Sequence, residues 1–181
     1  MSTYTAISDF LFAQRKHIFV RPDLVIYHPG HYTELNDQII QLYQHEGFSK
    51  ITLSSAPNRF LHGKSEYEVH KPILVEGGIP EHDIIHITEG SSMEEIVKFS
   101  FHIPLQQGFH YKTVLLAGKA FFMRRFFMLS ETYAPEDSVI DVLGLKDNRN
   151  ITKDHWMHTE TGIQRVSGEL EKIARLLKET R

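Results

Sequence analysis

Apolar residues along the chain form short runs, separated by longer segments in which apolar and polar residues alternate at helical spacing. The runs are rich in Val, Ile and Leu, end in polar or turn residues, and are too short to be helices. This pattern is typical of strands buried on both faces of a sheet. The runs predict five strands, at residues 23–28, 51–54, 84–88, 113–117 and 138–142.

The segments between the predicted strands carry helix signals. Two of them are marked by apolar residues at helical spacing: Ile39, Ile40, Leu42 and Tyr43 before a capping glycine at 47, and Phe122, Phe126 and Leu129. Two more begin with capping boxes, Ser65 with Glu68 and Ser91 with Glu94. Pro72 falls inside the first of these two helices and predicts that it is kinked or split.

Strands that alternate with helices pair in parallel through right-handed crossovers, which cover both faces of the sheet. We therefore predict a three-layer α/β/α Rossmann-like domain with a mainly parallel sheet of at least five strands. Residues 1–22 add a helix at 5–14 that packs on this domain, and 23–181 form the single domain itself. Its last helix covers 161–178, with one apolar stripe: Ile163, Val166, Leu170, Ile173 and Leu177.

Composition narrows the possible functions. Lys and Arg total 20 against 23 Asp and Glu, a formal charge of −3, so a broad cationic surface for nucleic acid is not expected. The chain has no cysteine, which excludes thiol nucleophiles and thiolate zinc sites and is typical of a reducing compartment. No apolar run approaches the roughly 20 residues that span a bilayer, and no basic segment precedes an apolar one at the start. We expect a soluble, cytoplasmic protein without a membrane partner.

Ligands of such sheets bind beyond the carboxyl ends of the strands, where the strand order reverses. The loop after the first strand contains His28, Gly30 and His31, and the helix that follows offers free N–H groups to an anion. An ordinary tight turn explains this loop equally well, and it has neither the dinucleotide fingerprint nor a P-loop. Ser54 and Ser55 follow the second strand and are ligand candidates or plain turn residues.

Hydroxyl and carboxylate groups meet at two predicted helix starts. Capping explains Ser91 and Ser92, although their hydroxyls could also bind a ligand. Glu66 does not occupy the capping position of its helix, so it is the candidate catalytic residue, able to orient a hydroxyl or activate water.

Three cations surround the start of the helix that follows the fourth strand. Lys119, Arg124 and Arg125 oppose the helix dipole there, which suggests a bound anion instead of a purely structural role. Adjacent helical residues point about 100° apart, so at most one arginine faces the cleft. We assign Lys119 and Arg124 to the ligand and expect Arg125 to point away. The first and fourth strands should then be neighbours, so that the two loops meet.

Twelve histidines raise the question of a metal. His28 with His31 and His155 with His158 are three residues apart, but neither pair has the carboxylate of a zincin motif. We expect no obligatory metal site. No Gly-x-Ser-x-Gly elbow supports a serine hydrolase. Trp156 either covers the cleft or closes the core.

The order of several segments resembles the YdcF-like family of bacterial domains, whose other branches include the SanA and ElyC envelope proteins. The matching segments run from about Asp23 to the end of the chain: DLVIYHPGH, ITLSSAPN, KSEYEVHKPILVEGGIP, TEGSSMEEI, GKAFFMRRF and ITKDHWMHTETGIQRVSGELEKI. The resemblance implies a Rossmann-like domain of the soluble branch, with a nucleotide-type or S-adenosylmethionine-like ligand and no established reaction.

The chain departs from this family's pattern in three places. A glycine pair after the first strand is replaced by His-Pro-Gly at 28–30, a serine-glycine turn by Ser-Ser-Ala at 54–56, and an Asn-Thr-x-Glu-Asn element by Ser-Ser-Met-Glu-Glu at 91–95. These departures concern the identity of the ligand more than the fold.

Three functions remain open on the sequence. The leading one is a small-molecule-binding protein, with or without catalysis, whose anionic or nucleotide-type ligand is held by the 28–31, 54–55 and 117–125 elements. The second is a non-catalytic ligand-sensing or interaction domain that uses the same pocket. The third is a histidine-ligated metallohydrolase.

Overall fold

The computed structural model describes residues 2–179, which form a five-stranded sheet with helices on both faces. All strand pairs are parallel and their order is β3-β2-β1-β4-β5. The strands are β1 Leu24–His28, β2 Lys50–Ser54, β3 Ile84–Ile87, β4 Thr113–Lys119 and β5 Val139–Leu145. The predicted three-layer Rossmann-like fold class is thereby confirmed.

Within residues 2–179, six helices connect and flank the strands. They are α1 Thr3–Leu11, α2 Leu35–His45, α3 Glu66–Glu76, α4 Met93–Gln106, α5 Met123–Tyr133 and α6 Glu160–Glu179. Short 3₁₀ helices lie at Arg59–Leu61, Glu81–Asp83, Ala120–Phe122 and Trp156–His158.

Two apolar cores fill the space between the layers. On one face of the sheet, α2 and α3 bury residues such as Leu35, Ile39 and Leu74. On the other face, α1, α4, α5 and α6 form a larger core with many aromatic side chains, Phe101 and Phe126 among them. Because both faces are covered, the strands can be apolar at consecutive positions, which is the pattern read from the sequence.

β1 and β4 lie side by side, as predicted, and pair from Leu24 with Val114 to His28 with Gly118. From β1 the chain proceeds to β2 on one side, whereas β4 joins on the other side. The order therefore reverses between β1 and β4, and the loops after these two strands diverge to opposite faces. A crevice opens between them at the carboxyl edge of the sheet.

Two local predictions differ from the structure. Of the kink or split predicted at Pro72, the split does not occur: α3 continues from Glu66 to Glu76, and the proline lies exposed on its surface. The second capping box is Ser92 with Glu95, one residue later than predicted. Ser91 also donates to the Glu95 carboxylate, so the two serines share one acceptor.

The terminal helices pack on the aromatic core. Trp156 is buried and its indole N–H donates to the Ser8 hydroxyl of α1 over 2.7 Å, so this side chain closes the core and does not cover the cleft. In α6, Val166 and Ile173 are buried, but Ile163 and Leu177 are exposed. None of the helices within residues 2–179 combines the length and the apolar character that crossing a membrane requires.

Candidate functional site

A cavity of about 410 Å³ opens at the switch point between β1 and β4. Its walls come from the loops after β1, β2 and β4, from the starts of α3 and α4, and from α6. We call it the switch-point cleft. Of the predicted ligand residues, His28, Gly30, His31, Glu66, Ser91 and Lys119 line it.

The loop after β1 forms the floor of the cleft. Gly30 has φ +66°, a left-handed conformation that residues with a side chain adopt at a cost. A Cβ atom added at Gly30 would lie 2.7 Å from the Lys119 ammonium nitrogen. The glycine thus serves both the turn and the close approach of this ammonium group to the backbone.

A buried chain of hydrogen bonds holds the Gly30 carbonyl. The Nε2–H of His70 donates to it over 2.9 Å, while Nδ1 of His70 accepts from the Asn36 amide over 3.0 Å. Asn36 in turn accepts from the Tyr27 hydroxyl over 2.9 Å. Burial lowers the pKa of His70, which favours the neutral imidazole that this pattern of donors and acceptors requires.

The sequence reading missed this chain of hydrogen bonds. One signal was available: His70 follows Glu66 by four residues on α3, so the two side chains share a helix face. Tyr27 and Asn36 carried no comparable signal, because nothing in the local pattern shows that they meet His70.

Glu66 and His28 form a polar pair that lines the cleft. Glu66 is only 5% exposed, and its Oε2 atom lies 3.2 Å from Nδ1 of His28. The two side chains pair with each other at this distance, and neither of these atoms has a further hydrogen-bond partner within the described residues. Burial acts to raise the pKa of the Glu66 carboxyl, but His28 and Lys119 outweigh burial and hold this pKa below its ordinary value. The carboxyl group is therefore ionised at neutral pH.

Lys119 ends β4 and places its ammonium group beside Gly30. Its Nζ atom also lies 5.5 Å from the centroid of the Tyr32 ring, and it makes no hydrogen bond or ion pair within residues 2–179. Burial lowers the pKa of Lys119, and the Glu66 charge opposes this effect. A partly buried ammonium without a paired anion is costly unless a ligand supplies one.

The two arginines of α5 exchange the positions that we predicted for them. Arg124 points to α1, where its Nε–H donates to the Phe10 carbonyl over 2.7 Å, and it does not line the cleft. Arg125 lines the cleft and donates twice to Glu169, over 2.7 and 3.2 Å. The assignment of Arg124 to the cleft was wrong, because the 3₁₀ helix at Ala120–Phe122 changes the rotation at which α5 begins.

Three of the four candidate serines do not reach the cavity wall. Ser54 is buried and its hydroxyl accepts from the N–H of Ala56, while the N–H of Ser55 donates to Ile87 in β3. The wall next to β2 is built by the following residues, 56–60. Ser91 lines the cleft, whereas Ser92 caps α4. The loop after β2 therefore lines the cleft, as expected, but with residues 56–60 instead of Ser54 and Ser55.

Cations outnumber carboxylates around the cleft. Six Lys and Arg and two Glu line it, a formal charge of +4 with histidine neutral: Arg59, Lys119, Arg125, Arg149, Arg165 and Lys172, with Glu66 and Glu169. Glu169 binds both Arg125 and Lys172, and Arg149 pairs with Asp147 behind the wall. Lys119 and Arg165 make no ion pair within the described chain.

Aromatic rings form part of the cleft wall. The ring of His31 lies between Tyr32 and Phe60, with centroid distances of 4.0 and 4.7 Å. Burial and the nearby Lys119 lower the pKa of His31, so its ring is neutral. Phe60 is 54% exposed, which leaves apolar ring surface open to the cleft.

The histidine pairs singled out in the sequence do not assemble a ligand set. His28 packs on Phe122 and His31 on Tyr32, and the rings of His155 and His158 are 5.7 Å apart. Within residues 2–179, no group of three or more His, Asp or Glu side chains is arranged to hold a metal ion.

Comparison with protein-family models and with curated proteins found no match for this chain.

Proposed function

We propose that the chain binds a small anionic ligand in the switch-point cleft, with a phosphate group beside Lys119. The observation that carries the proposal is the ammonium group of Lys119, partly buried at the switch point and without a paired anion. A phosphate oxygen placed there would gain a charge-assisted hydrogen bond, and free N–H groups of the loop after β1 would add to it.

The charge of the cleft distinguishes between the ligands that the sequence left open. With a formal charge of +4 on its lining, it favours a phosphate dianion or a nucleotide. S-adenosylmethionine is less favoured, because its sulfonium and ammonium groups outweigh its single carboxylate. The exposed ring of Phe60 and the stacked His31 and Tyr32 offer a surface for a nucleotide base.

We propose, from the same residues, that the chain is related to the YdcF-like family. His28, Gly30, Glu66 and Lys119 come from three of the segments that carry the resemblance, and these segments meet in one cleft. Their convergence supports the relationship more strongly than their order in the sequence.

A second candidate function, catalysis on the bound ligand, rests on Glu66. An ionised carboxylate that is 5% exposed, lines the cleft and lies 3.2 Å from the His28 ring could accept a proton from the ligand or from water. Turnover of a bound phosphate ester separates an enzyme from a ligand sensor, because a sensor would release the compound unchanged.

Isothermal titration with inorganic phosphate, AMP, ATP and S-adenosylmethionine tests the proposed ligand class. We expect binding of the phosphate compounds and a loss of about tenfold or more in affinity in Lys119→Met, the value of one charge-assisted hydrogen bond. Lys98→Met is the matched control, since Lys98 is exposed on α4, away from the cleft lining. Equal affinity in Lys119→Met and the wild type would contradict the proposal, as would tighter binding of S-adenosylmethionine than of AMP.

A further inference from the structure

The two nitrogens of the His28 ring have different surroundings. Nδ1 is buried, lies 3.2 Å from Oε2 of Glu66 and has no further hydrogen-bond partner among the described residues. The side chain as a whole is 19% exposed and lines the switch-point cleft. Because Nδ1 faces the carboxylate, Nε2 is the ring nitrogen that is available to a ligand in the cleft.

Glu66 determines which of these nitrogens carries the proton. Its ionised carboxylate lies beside Nδ1 and favours the tautomer with the proton on that nitrogen, which leaves a free lone pair on Nε2. When Nε2 accepts a proton, the ring becomes an imidazolium, and the carboxylate 3.2 Å away stabilises its charge. This order of groups is that of a general base oriented by a carboxylate.

Neighbouring contacts hold both side chains of the pair in place. His28 ends β1, and its ring packs against Phe122 and Phe126 with centroid distances of 5.5 and 6.5 Å. Glu66 is the first residue of α3, whose start is fixed by the Ser65 capping box. The direction of Nε2 is therefore set by the fold before a ligand binds, as a catalytic group requires.

The phosphate site that we propose at Lys119 lies next to this pair. His28 at the end of β1 pairs with Gly118 of β4, and Lys119 is the next residue of β4. The Lys119 charge also acts on the Glu66 carboxyl group and lowers its pKa. A phosphate held by Lys119 therefore comes close to the His28 ring.

We propose that His28 is the catalytic base for hydrolysis of a phosphate ester bound at Lys119, and that Glu66 is its positioning residue. This inference rests on the proposed function, since the reaction needs the phosphate site. Nε2 takes a proton from a water molecule while the water oxygen bonds to phosphorus. The bond between phosphorus and the alcohol oxygen breaks, and this oxygen takes the proton from Nε2. The products are an alcohol and inorganic phosphate, and His28 returns to its neutral form.

The test measures hydrolysis of p-nitrophenyl phosphate, whose p-nitrophenolate leaving group needs no proton, so the assay reports on the base. His28→Asn keeps an N–H donor near the position of Nδ1 for Glu66 but has no group at the position of Nε2. We expect turnover by the wild type and a kcat lower by about a hundredfold to ten-thousandfold in His28→Asn. Inorganic phosphate should bind this variant as tightly as the wild type in isothermal titration, because Lys119 is unchanged.

Two further variants separate these roles from a general effect on folding. His110→Asn makes the same substitution at an exposed histidine outside the cleft lining and should leave kcat and KM unchanged. Glu66→Gln keeps the shape of the side chain but removes its charge, so kcat should fall without a rise in KM. Glu66→Gln combined with His28→Asn should be no slower than His28→Asn alone, because Glu66 acts through His28.

The outcomes distinguish this inference from the proposed function. If inorganic phosphate does not bind the wild type, the proposed function fails and the inference falls with it. If phosphate binds but the wild type releases no p-nitrophenolate, the inference alone is wrong. A wild-type kcat in His28→Asn also overturns it, as does a wild-type kcat in Glu66→Gln if His28→Asn does not fold. A double variant slower than His28→Asn would show that Glu66 acts directly on the ligand or water.

Discussion

Arg124 and Arg125 are adjacent on α5 and differ in what their side chains contact, which makes them a matched pair for mutation to alanine. Arg125 donates two hydrogen bonds to Glu169 of α6, and the two side chains are 16% and 5% exposed. Arg124 donates one hydrogen bond to the exposed Phe10 carbonyl. We therefore expect Arg125→Ala to destabilise the protein much more than Arg124→Ala.

The expected loss of unfolding free energy depends on which interactions remain after each substitution. Breaking a buried ion pair costs about 3–5 kcal/mol of unfolding free energy, but Glu169 keeps its bond to Lys172 over 2.7 Å. We therefore expect a loss of about 2–3 kcal/mol for Arg125→Ala, a decrease in Tm of about 4–12 °C in a domain of this size. Arg124→Ala should cost less than about 1 kcal/mol.

Urea titration and thermal melting of the three proteins measure these values, and pH provides an internal check. Arg125 and Lys172 hold the pKa of Glu169 below its ordinary value despite burial. The stabilisation from this pair is therefore present at neutral pH and is lost as the pH falls through that lowered pKa. The difference between wild type and Arg125→Ala should shrink in acid. Equal destabilisation by the two variants, or a difference that does not change with pH, would refute this account of α5.

Three further predictions concern the floor of the cleft and α6. His70→Ala leaves the Gly30 carbonyl and Asn36 without partners and opens a cavity, so it should cost about 2–4 kcal/mol in urea unfolding and also weaken phosphate binding. Gly30→Ala forces a side chain into φ +66° and should lower the unfolding free energy by about 1–2 kcal/mol. Gly168→Ala, the control in α6, places its methyl group in open space and should raise the unfolding free energy by about 0.5–1 kcal/mol. A stabilised Gly30→Ala would contradict the strained conformation assigned to this loop. Burial lowers the pKa of Lys119 below its ordinary value of 10.5, so the affinity for sulfate, which stays a dianion, should fall as the pH rises through this lowered pKa. Lys119→Arg keeps its charge and should bind sulfate up to higher pH.

The strands could be predicted because each is a continuous apolar run, a local property of a buried parallel sheet. The predicted strand ends were less accurate where pairing with a neighbouring strand determines the length of the strand. β4 and β5 extend further than predicted because Gly118 pairs with Gly144 and Lys119 with Leu145. That pairing depends on the neighbouring strand, which no local pattern records.

The site could be predicted where it depends on strand ends and not where it depends on helix rotation or distant contacts. His28, Gly30 and Lys119 follow from the rule that ligands bind at the switch point. Arg125 was missed because the 3₁₀ helix before α5 shifts the rotation of that helix. Arg165 and Phe60 reach the cleft from α6 and from the loop after β2, and their positions depend on how separate elements pack.

The distribution of charge between the cleft and the rest of the surface also affects how fast a ligand arrives. The cleft lining carries +4 and the whole chain −3, so the remaining residues carry −7. A phosphate ester approaching at random is repelled by most of the molecule and attracted to one opening, which guides diffusion and raises the association rate constant. This guidance acts over about 8 Å at physiological ionic strength, so added salt should slow association more than it speeds dissociation.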